Sequence, residues 1–421
     1  MRKFIISVLG ICMAALTGSA ANPMSTDYSM YECEGSLTPY PMDINPAVFP
    51  DSLTPVYINH VGRHGARYPA SASNCLKLRA ALQKADSLGT ITAVGRQLMA
   101  LNNRIIELSN NQWGALDSLG MAEQRAIATR MFYNFGEVFG NGATVSALSS
   151  YSPRSMMSMF SFVHQLDRMD NRIQFVTNTG RSNSYLMRPF DTDADYKEFR
   201  AEELWLPPYK EYFDQTCPTA PIRRALGERY PFDNEDAERD LALTEYYVVA
   251  GCRAMSVDPA ASRFFNKEEY NALWSCFNLR QYLQRTATTV SSVPADIASQ
   301  LVQDLISTTE GFINGTNPAV ANLRFGHAET LMPLLSLMRL RGCYYMTNYF
   351  DTVGLHWRDF EVVPMAANLQ MILFKSATGR YYVRVDVNEK PMPLQPNSNA
   401  IYTPWGEARD YLTRILPIYA Q

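Results

Sequence analysis

The sequence is poor in net charge and in long apolar segments, and each shortage excludes a class of function. Its 421 residues carry 38 basic and 41 acidic side chains, which leaves a net charge of -3. Proteins that bind nucleic acid carry a basic surface, so we expect no nucleic-acid partner. Beyond residue 16 no segment is both apolar and long enough to span a bilayer, so we expect no stable membrane insertion.

Cysteine is also scarce, and its spacing argues against a zinc site. None of the seven cysteines belongs to a C-x-x-C pair, a usual spacing of zinc ligands. Cys12 lies in the apolar N-terminal segment, and an even number of cysteines remains after it. In an exported protein an even number favours disulfide bonds, and burial as free thiols is the alternative. The residues concerned are Cys33, Cys75, Cys217, Cys252, Cys276 and Cys343.

Residues 1–21 have the pattern of a secretory signal peptide. Arg2 and Lys3 provide the positive end, residues 4–16 are apolar, and small residues at 18–21 provide a cleavage site. A short membrane anchor is the alternative, but the apolar run is too short to cross a bilayer. We therefore predict an exported protein, either periplasmic or secreted.

Strand patterns and helix patterns alternate along the chain, which predicts an α/β fold. Alternating apolar residues predict the strands, and the last two strands are typical of a hairpin. Helical spacing of apolar residues predicts the helices between them. The predicted strands cover residues 55–61, 144–149, 321–325, 368–376 and 381–387, and the predicted helices cover residues 74–88, 92–110, 120–139, 153–166 and 330–340.

The segment between residues 179 and 314 differs from the rest, because helical patterns interrupted by proline-containing loops dominate it. We predict that residues 179–314 form a mainly helical domain inserted in an α/β core. That core then consists of residues 22–178 and 315–421. We expect it to contain a mixed, mainly parallel sheet flanked by helices.

Cationic and imidazole side chains directly follow three of the predicted strands. Arg63 and His64 follow the first strand, Arg154 follows the second at the start of a helix opened by Pro153, and His327 follows the third. Ligands of such sheets bind beyond the carboxyl ends of the strands. We therefore expect these side chains to meet at one edge of the sheet.

Residues 63–69 read Arg-His-Gly-Ala-Arg-Tyr-Pro, and these groups suit phosphoryl transfer. The transition state spreads negative charge over three oxygens, and the planar fork of arginine matches phosphate oxygens. Arg63, Arg67 and Arg154 can supply these forks. His64 is the natural nucleophile, because nearby cations disfavour imidazolium and leave the imidazole neutral. A histidine in an ordinary surface turn is the alternative.

This motif resembles the R-H-G-x-R-x-P signature of the second branch of the histidine phosphatases, which contains acid phosphatases and phytases. Residues 325–331, Phe-Gly-His-Ala-Glu-Thr-Leu, resemble the H-A-E form of the multiple inositol polyphosphate phosphatases. Most acid phosphatases and phytases of this branch have H-D at that place. The resemblance covers nearly the whole chain after the predicted signal peptide.

The resemblance implies a role for each matching residue. His64 would be the nucleophile, and Glu329 would protonate the leaving oxygen and then activate water, with Ala328 standing where most of the branch has an acid. No metal or other cofactor is implied, since arginine and histidine supply the charge that magnesium supplies elsewhere. Arg188 is a further candidate for substrate binding, or alternatively a partner of a nearby aspartate. The residues that would bind the transferring phosphoryl group are Arg63, Arg67, Arg154 and His327.

Metal-binding and structural alternatives apply to some of these residues. His60 and His64 have H-x-x-x-H spacing, but metal ligands at that spacing need a helix, and this segment is predicted as strand and loop. His327 and Glu329 match the H-x-E of zinc deaminases, whose P-C-x-x-C partner is absent. Glu329 can also cap a helix N-terminus, which is compatible with catalysis.

We predict an exported phosphomonoesterase that hydrolyses inositol hexakisphosphate and lower inositol polyphosphates through a phosphohistidine intermediate. Its partners would be small phosphate esters. The first alternative is a broad-specificity acid or sugar phosphatase of the same branch. The second is a protein that binds phosphate esters without turning them over. The oligomeric state is left open.

Overall fold

The computed structural model describes residues 28–140 and 142–417. The predicted signal peptide and Cys12 lie outside these residues, so export stays a prediction. The described chain builds one mixed sheet of eight strands. The strands are β1 (Leu53–Arg63), β2 (Thr144–Ser149), β3 (Gln174–Asn178), β4 (Ala319–Gly326), β5 (Asn368–Ser376), β6 (Tyr381–Val387), β7 (Lys390–Met392) and β8 (Thr403–Pro404).

The sheet has the order β3-β2-β4-β1-β5-β6-β7, with β8 paired to β6. The first four strands in this order are parallel to one another. The strands β5, β6, β7 and β8 continue the sheet in antiparallel fashion, and β5 and β6 form the predicted hairpin. This confirms the predicted α/β class with a mixed sheet whose core strands are parallel.

Helices cover both faces of the sheet. Short 3₁₀ helices occupy Glu32–Leu37, Gly136–Phe139, Arg181–Asn183, Arg253–Met255, Ala261–Arg263 and Phe350–Thr352. The α-helices are α1 (Ser73–Ser87), α2 (Ala93–Ser109), α3 (Ser118–Asn134), α4 (Pro153–Met169), α5 (Ser184–Met187), α6 (Pro189–Thr192), α7 (Ala194–Glu202), α8 (Leu206–Thr216), α9 (Ala220–Leu226), α10 (Glu235–Ala250), α11 (Lys267–Arg285), α12 (Val293–Asp296), α13 (Ser299–Ile313), α14 (Ala328–Leu337), α15 (Val353–His356), α16 (Asp359–Val362) and α17 (Trp405–Arg414).

The two faces of the sheet bury separate apolar cores, because successive strand residues point to opposite faces. Tyr57 of β1 belongs to the larger core, which also contains apolar side chains from most of the helices between β3 and β4. Its neighbour Ile58 joins the smaller core with Ile127 of α3 and Phe162 of α4. The cores on both faces fix the sheet in the middle of the molecule and leave its strand ends free to build a site.

Helices α1 and α2 lie early in the chain, yet they pack against the long helical segment. Helix α1 contacts α10, and α2 contacts α9. Between β3 and β4 the described chain contains helices and no strand. The helical layer is therefore completed by residues from before β2. The division into residues 22–178, 179–314 and 315–421 stays a prediction.

Two segment boundaries differ from expectation near the predicted site. Strand β1 continues through Gly62 and Arg63, which were expected in a loop, because both residues pair with β4. Helix α14 begins at Ala328 rather than at residue 330. Its Pro333 therefore lies inside the helix, where its ring nitrogen has no hydrogen to donate to the carbonyl of Glu329.

The expectation of disulfide bonds is wrong for the six cysteines in the described chain. All six are present as free, buried thiols. Cys252 and Cys276 are completely shielded from solvent within the larger core, where a thiol packs as a small apolar side chain. The even count therefore reflects core packing rather than cross-linking. None of the helices in the described residues is long and apolar enough to cross a membrane.

Helix α10 buries a carboxyl group that has no hydrogen-bond partner among the described residues. Glu245 is fully shielded from solvent, and neither of its side-chain oxygens is bonded. Burial raises the pKa of Glu245 to about 8, despite the opposing positive charge of Arg224. The folded protein therefore holds this carboxyl protonated at neutral pH, whereas the unfolded chain ionises it above its ordinary pKa of 4.5.

We predict that Glu245→Gln removes a pH-dependent loss of stability. In the wild type, the free energy of unfolding falls as pH rises from 4.5 to about 8, because only the unfolded chain releases this proton. The variant should be more stable by a few kcal/mol at pH 8 and equal at pH 4.5, since one pKa unit corresponds to about 1.4 kcal/mol. Urea denaturation across this pH range tests it. The exposed Glu107→Gln is the control, and parallel stability curves for wild type and Glu245→Gln would contradict the assignment.

Candidate active site

The carboxyl ends of three neighbouring parallel strands bring the predicted site residues together. Strand β4 lies between β2 and β1, and Arg63 at the end of β1 pairs with Gly326 at the end of β4. Arg154 follows β2 in the first turn of α4, and His327 directly precedes α14. Parallel strands place their carboxyl ends at one edge, so the predicted meeting of these side chains is observed.

The hydrogen bond made by the His64 ring assigns the tautomer. His64 is 3% exposed, and its Nδ1 atom lies 2.9 Å from the carbonyl oxygen of Gly65. A carbonyl oxygen can only accept, so Nδ1 carries the proton and donates it to this bond. The lone pair of the imidazole is therefore on Nε2. This is the nitrogen that can attack an electrophile.

The surroundings of His64 keep the imidazole neutral. Burial lowers the pKa of His64 well below its ordinary value, and the charges of Arg154, Arg63 and Arg67 lower it further. His327 contributes in the same direction, with its ring 5.6 Å from that of His64. Cations and burial both disfavour imidazolium. The nucleophilic form consequently persists into acidic solution.

The backbone that carries His64 is held by hydrogen bonds to three other segments of the chain. The N–H of His64 donates to the carbonyl of Gly326 at 3.1 Å, and the N–H of Gly65 donates to the Ser158 hydroxyl at 3.1 Å. Glu123 of α3 accepts from the N–H of Ala66 at 2.7 Å. A buried backbone group without a partner is costly, so these bonds hold the loop in one conformation.

Close backbone contact explains the glycine that follows His64. A Cβ atom on Gly65 would lie 2.4 Å from the carbonyl oxygen of Gly120, and a Cβ on Gly120 would lie 2.2 Å from that of Ala66. These separations are shorter than any van der Waals contact. The loop and the start of α3 can pack this tightly only because both positions are glycine.

Three arginines point guanidinium groups at the same edge. Arg63 is anchored by donating to the carbonyls of Ser36 at 2.5 Å and Val363 at 2.6 Å. Arg67 donates to the carbonyl of Tyr68 at 2.9 Å. The Nε atoms of Arg63, Arg67 and Arg154 are buried and have no hydrogen-bond partner among the described residues. Each guanidinium therefore has donors that are free to bind an anion.

The guanidinium groups are crowded enough to affect one another. Burial lowers the pKa of Arg63 to about 10, and the charge of Arg67 adds to the effect. Arg154 behaves alike: burial first, then Arg67, lowers its pKa to about 10. Both remain protonated at neutral pH. Like charges collected in a buried site favour the binding of a multiply charged anion.

His327 bridges β2 and the beginning of the helical segment. Its Nε2 lies 2.9 Å from the Ser150 hydroxyl and 2.9 Å from Nη1 of Arg188, and its Nδ1 lies 3.4 Å from Nη2 of Arg154. An arginine can only donate, and both ring nitrogens lie near one. The 2.9 Å contact with Arg188 makes Nε2 the acceptor, so the single proton of the neutral ring is on Nδ1, where the contact with Arg154 at 3.4 Å is longer than an ordinary hydrogen bond. Burial, followed by the charge of Arg154, lowers the pKa of His327 to about 3. The ring is therefore neutral and has one N–H to offer.

Glu329 lies in the first turn of α14 and its carboxylate is partly exposed. Withdrawal from water raises its pKa, but the charge of Arg285, together with a backbone hydrogen bond and the charge of Arg63, outweighs this and lowers the pKa to about 2. Arg285 is the nearest cation, with Nη2 3.8 Å from Oε1. Position in the first turn of a helix also favours the ionised form. Glu329 is thus a carboxylate in this state of the enzyme.

Arg188 makes the aspartate contact that was the alternative to substrate binding, and it also reaches His327 in the site. Its Nε donates to Asp191 at 2.6 Å, while Nη1 reaches His327. Its guanidinium also lies 5.0 Å from the centre of the Tyr151 ring. Arg188 therefore borders the site, although one side of its charge is already neutralised by Asp191.

The metal-binding alternative for His60 does not fit the structure. Its ring lies on β1 between Phe162 and Phe325, at centroid distances of 5.3 and 5.1 Å. Burial lowers its pKa to about 3, so it stays neutral beneath the site. Within residues 28–140 and 142–417 no three His, Cys, Asp or Glu side chains are grouped to hold a metal ion. Metal-free chemistry remains a prediction.

Residues 57–388 match the histidine phosphatase superfamily (branch 2). The chain belongs to this family. As a histidine phosphatase it is a phosphomonoesterase, and the three arginines near His64 suit the binding of a phosphate group. The family assignment agrees with the arrangement of His64, Arg154 and His327 at the ends of neighbouring strands.

Relatives of this histidine phosphatase cover most of its length. It is 24% identical over 437 residues to multiple inositol polyphosphate phosphatase 1 of Gallus gallus, a match that spans 97% of this chain and 93% of that protein. It is 25% identical over 385 residues to multiple inositol polyphosphate phosphatase 1 of Homo sapiens, with 83% and 77% covered.

Solved structures share the fold of this histidine phosphatase. Multiple inositol polyphosphate phosphatase from Bifidobacterium longum, in complex with phosphate, has a TM-score of 0.79 at 18% identity and covers 92% of this chain and 99% of its own. The phytase from D. castellii has a TM-score of 0.71 at 17% identity, with 96% and 90% covered. At these identities the agreement establishes the fold.

Several residues that shape the site carry no recognisable signal in the sequence. Glu123 and Gln124 of α3 hold the backbone of residues 63–66, with Gln124 donating to the Arg63 carbonyl at 2.9 Å. Ser150 and Arg285 contact His327 and Glu329 from distant segments. These residues reach the site only because the fold places their segments beside it.

We predict that Glu123→Gln destabilises the enzyme and slows turnover. The carboxylate accepts from the N–H groups of Ala66 and of Tyr40, the latter at 2.8 Å, and an amide can accept on only one of its two atoms. Losing one acceptor should cost about 1–3 kcal/mol. Urea denaturation and kcat should be measured at pH 8, where the carboxyl, with a pKa that burial raises to about 7, is ionised.

The exposed Glu137→Gln serves as the matched control for Glu123→Gln and should leave both quantities unchanged. If Glu123→Gln unfolded at the wild-type urea concentration and kept wild-type kcat, the carboxylate would not be holding the loop.

Proposed function

We propose that this histidine phosphatase hydrolyses inositol hexakisphosphate and lower inositol polyphosphates through a phosphohistidine on His64. The observation that carries the proposal is the neutral imidazole with its lone pair on Nε2, surrounded by three arginines whose Nε atoms have no hydrogen-bond partner among the described residues. That arrangement supplies a nucleophile and a cradle for the phosphoryl group. We also propose export, on the strength of the signal-peptide pattern at residues 1–21.

In the first step the Nε2 lone pair of His64 attacks phosphorus while the ester oxygen departs on the opposite side. The N–P bond forms as the P–O bond breaks, and the Nδ1 proton stays bonded to the Gly65 carbonyl. The positive charge that develops on the ring is carried by this hydrogen bond. The fixed position of the loop removes the need to orient the nucleophile during the reaction.

The three equatorial oxygens of the phosphoryl group would be held by Arg63, Arg67, Arg154 and His327. Arginine forks bind phosphate oxygens in pairs, and the N–H at Nδ1 of His327 adds a neutral donor. Arg63 brings rigidity, because two carbonyls already fix its guanidinium. Such fixed donors stabilise charge as it spreads over the oxygens in the transition state.

Glu329 is proposed as the acid that protonates the leaving oxygen and as the base that then activates water. Its pKa of about 2 makes it ionised before substrate binds. A substrate with several phosphates adds negative charge beside this carboxylate and raises its pKa, so a proton from solvent can be taken up. Hydrolysis of the phosphohistidine then returns His64 to its neutral form and releases phosphate.

The inositol polyphosphate assignment is supported by the two vertebrate relatives, both named multiple inositol polyphosphate phosphatase 1. It is also supported by the His327-Ala328-Glu329 sequence, which resembles that subfamily. Cations continue beyond the reacting centre at Arg188 and Arg285. An inositol polyphosphate carries further phosphates that can contact these cations, whereas a phosphate ester with a single phosphate has none to offer them.

We predict that His64→Ala releases phosphate from inositol hexakisphosphate at least about 1,000-fold more slowly than the wild type, since loss of a nucleophile removes the covalent route. The same variant should still bind inositol hexakisphosphate, because the arginines remain. Phosphate release and equilibrium binding are the two measurements. Wild type quenched in an alkaline denaturant should in addition carry a phosphoryl group on histidine, because the N–P bond is stable in alkali and is cleaved by acid.

Two results would contradict the proposal for His64. Equal phosphate release by wild type and His64→Ala would remove the nucleophile, and no release by either protein would favour a binding protein. Wild type should also be assayed on sugar phosphates. Far faster turnover of sugar phosphates than of inositol hexakisphosphate would favour a broad-specificity phosphatase.

For Glu329→Gln we predict a loss that depends on the leaving group. Turnover of inositol hexakisphosphate should fall by about 100-fold or more, because its alkoxide needs a proton to depart. Phosphorylation of His64 by p-nitrophenyl phosphate should continue, because its leaving group needs no acid. A burst of p-nitrophenol in rapid-mixing experiments measures this step. Wild-type turnover of inositol hexakisphosphate by the variant would exclude Glu329 as the acid.

A further inference from the structure

Arg285 stands out among the cations near the site because its carboxylate partner is the proposed acid. It is the last residue of α11, and its Nη2 approaches Oε1 of Glu329 at 3.8 Å. Arg188, by contrast, is paired closely with Asp191. The contact of Arg285 with Glu329 is loose, which leaves the guanidinium able to exchange one anion for another.

The donors of Arg285 are only partly used. Nη1 donates to the hydroxyl of Tyr196, and that hydroxyl donates in turn to the carbonyl of Gln284 at 3.0 Å. The Nε atom is buried and has no hydrogen-bond partner among the described residues. A guanidinium therefore sits fixed on one side, with an unpaired donor and its remaining charge directed at Glu329.

A second arginine lies behind Arg285 without a carboxylate of its own in the described chain. Arg200 of α7 has a buried Nη1 with no hydrogen-bond partner, and its guanidinium lies 5.4 Å from the Trp205 ring centre. Burial lowers the pKa of Arg200, and the charge of Arg285 is among the causes. Within the described chain, Glu329 is thus the carboxylate that pairs with Arg285, and Arg200 adds a second positive charge near Arg285.

The chemistry of the substrate class says which anion could meet this pair. The leaving oxygen that Glu329 protonates is attached to a ring carbon, and in an inositol polyphosphate the adjacent carbons also carry phosphates. A side chain that hydrogen-bonds to the leaving oxygen, as Glu329 would, must therefore lie close to a neighbouring phosphate. Arg285 is the cation next to that group, and phosphate is the anion that its fork matches.

We propose that Arg285, supported by Arg200, binds the non-reacting phosphate next to the one transferred, and that on substrate binding it exchanges Glu329 for this phosphate. The proposal rests on the proposed function of the site. Substrate binding would then make Glu329 available as the acid, because Glu329, no longer paired with Arg285, takes a proton from solvent. A substrate with a single phosphate cannot make this exchange.

The proton balance of the step is complete with solvent as the only source. Glu329 gains one proton when the substrate binds and gives it to the leaving oxygen as the P–O bond breaks and the N–P bond to His64 forms. The carboxylate later accepts a proton from the attacking water. The other groups that face Glu329 are Arg63 on β1, Arg154 on α4 and the neutral His327 beside it, and in this step they bind the transferring phosphoryl group and exchange no proton with Glu329.

The test compares Arg285→Gln with wild type on inositol hexakisphosphate and on glycerol 2-phosphate, which has one phosphate and an unactivated leaving group. For inositol hexakisphosphate, KM should rise about 10- to 100-fold, the value of a lost charged hydrogen bond. For glycerol 2-phosphate, KM should stay unchanged, and kcat at pH 5 should rise, because Glu329 is no longer held ionised by Arg285.

Three further variants separate this effect from a loss of structure. Tyr196→Phe removes the hydroxyl that accepts from Arg285 and should raise KM for inositol hexakisphosphate by a smaller factor. Arg285→Lys should restore part of the affinity. Arg263→Gln, at an exposed site in the same helical segment, should match wild type on both substrates. Thermal unfolding confirms that each variant is folded.

Equal losses on the two substrates would overturn the proposal, because Arg285 would then act only on Glu329 or on the fold. Unchanged kinetics on inositol hexakisphosphate would overturn it as well. These outcomes differ from a failure of the proposed function, in which the wild type itself would not hydrolyse inositol hexakisphosphate or would form no phosphohistidine.

Discussion

The collection of like charges around one imidazole is the constraint on which the site depends. Arg63, Arg67 and Arg154 stand close enough to His64 to keep it neutral, and burial acts in the same direction. Holding cations together in a buried place is unfavourable unless something else fixes them. Here the fixing groups are mostly backbone carbonyls, such as those of Ser36 and Val363, which neutralise no charge. The cradle therefore keeps its full attraction for an anion.

The sheet allows these cations to lie close together, because the residues of the site are held at the ends of separate strands. β2, β4 and β1 end side by side, and each strand end leads into one part of the site. Helices α4 and α14 begin at the same edge, so their N-terminal dipoles add further positive potential. The same arrangement explains why Gly65 and Gly120 are required: the loop must pass directly against α3 to aim His64 along the edge.

The parts of this site that the sequence could predict are those with a local signature. A strand pattern followed by Arg63 and His64, a proline that opens the helix of Arg154, and a strand break before His327 all lie within short segments. The hydrogen bond between Ala66 and Glu123 and the contact of Arg285 with Glu329 join residues that are far apart in the chain. An acidic residue inside a helix carries no sign in the sequence of such a distant partner. The free cysteines were missed for a similar reason, because an even count says nothing about which sulfur atoms face each other.

The displaced acid changes how proton transfer must be organised. Ala328, where most of the branch has an acid, is buried, and Glu329 one residue further along the helix turns toward the positive end of the site and toward Arg285. An acid so close to cations ionises readily and is poorly suited to donate a proton by itself. Substrate charge can reverse this, because every phosphate near the carboxylate opposes the arginines. If Glu329 is the acid, as we propose, only substrates with enough negative charge would supply its proton, so selectivity for polyphosphates would arise in the proton-transfer step as well as in binding.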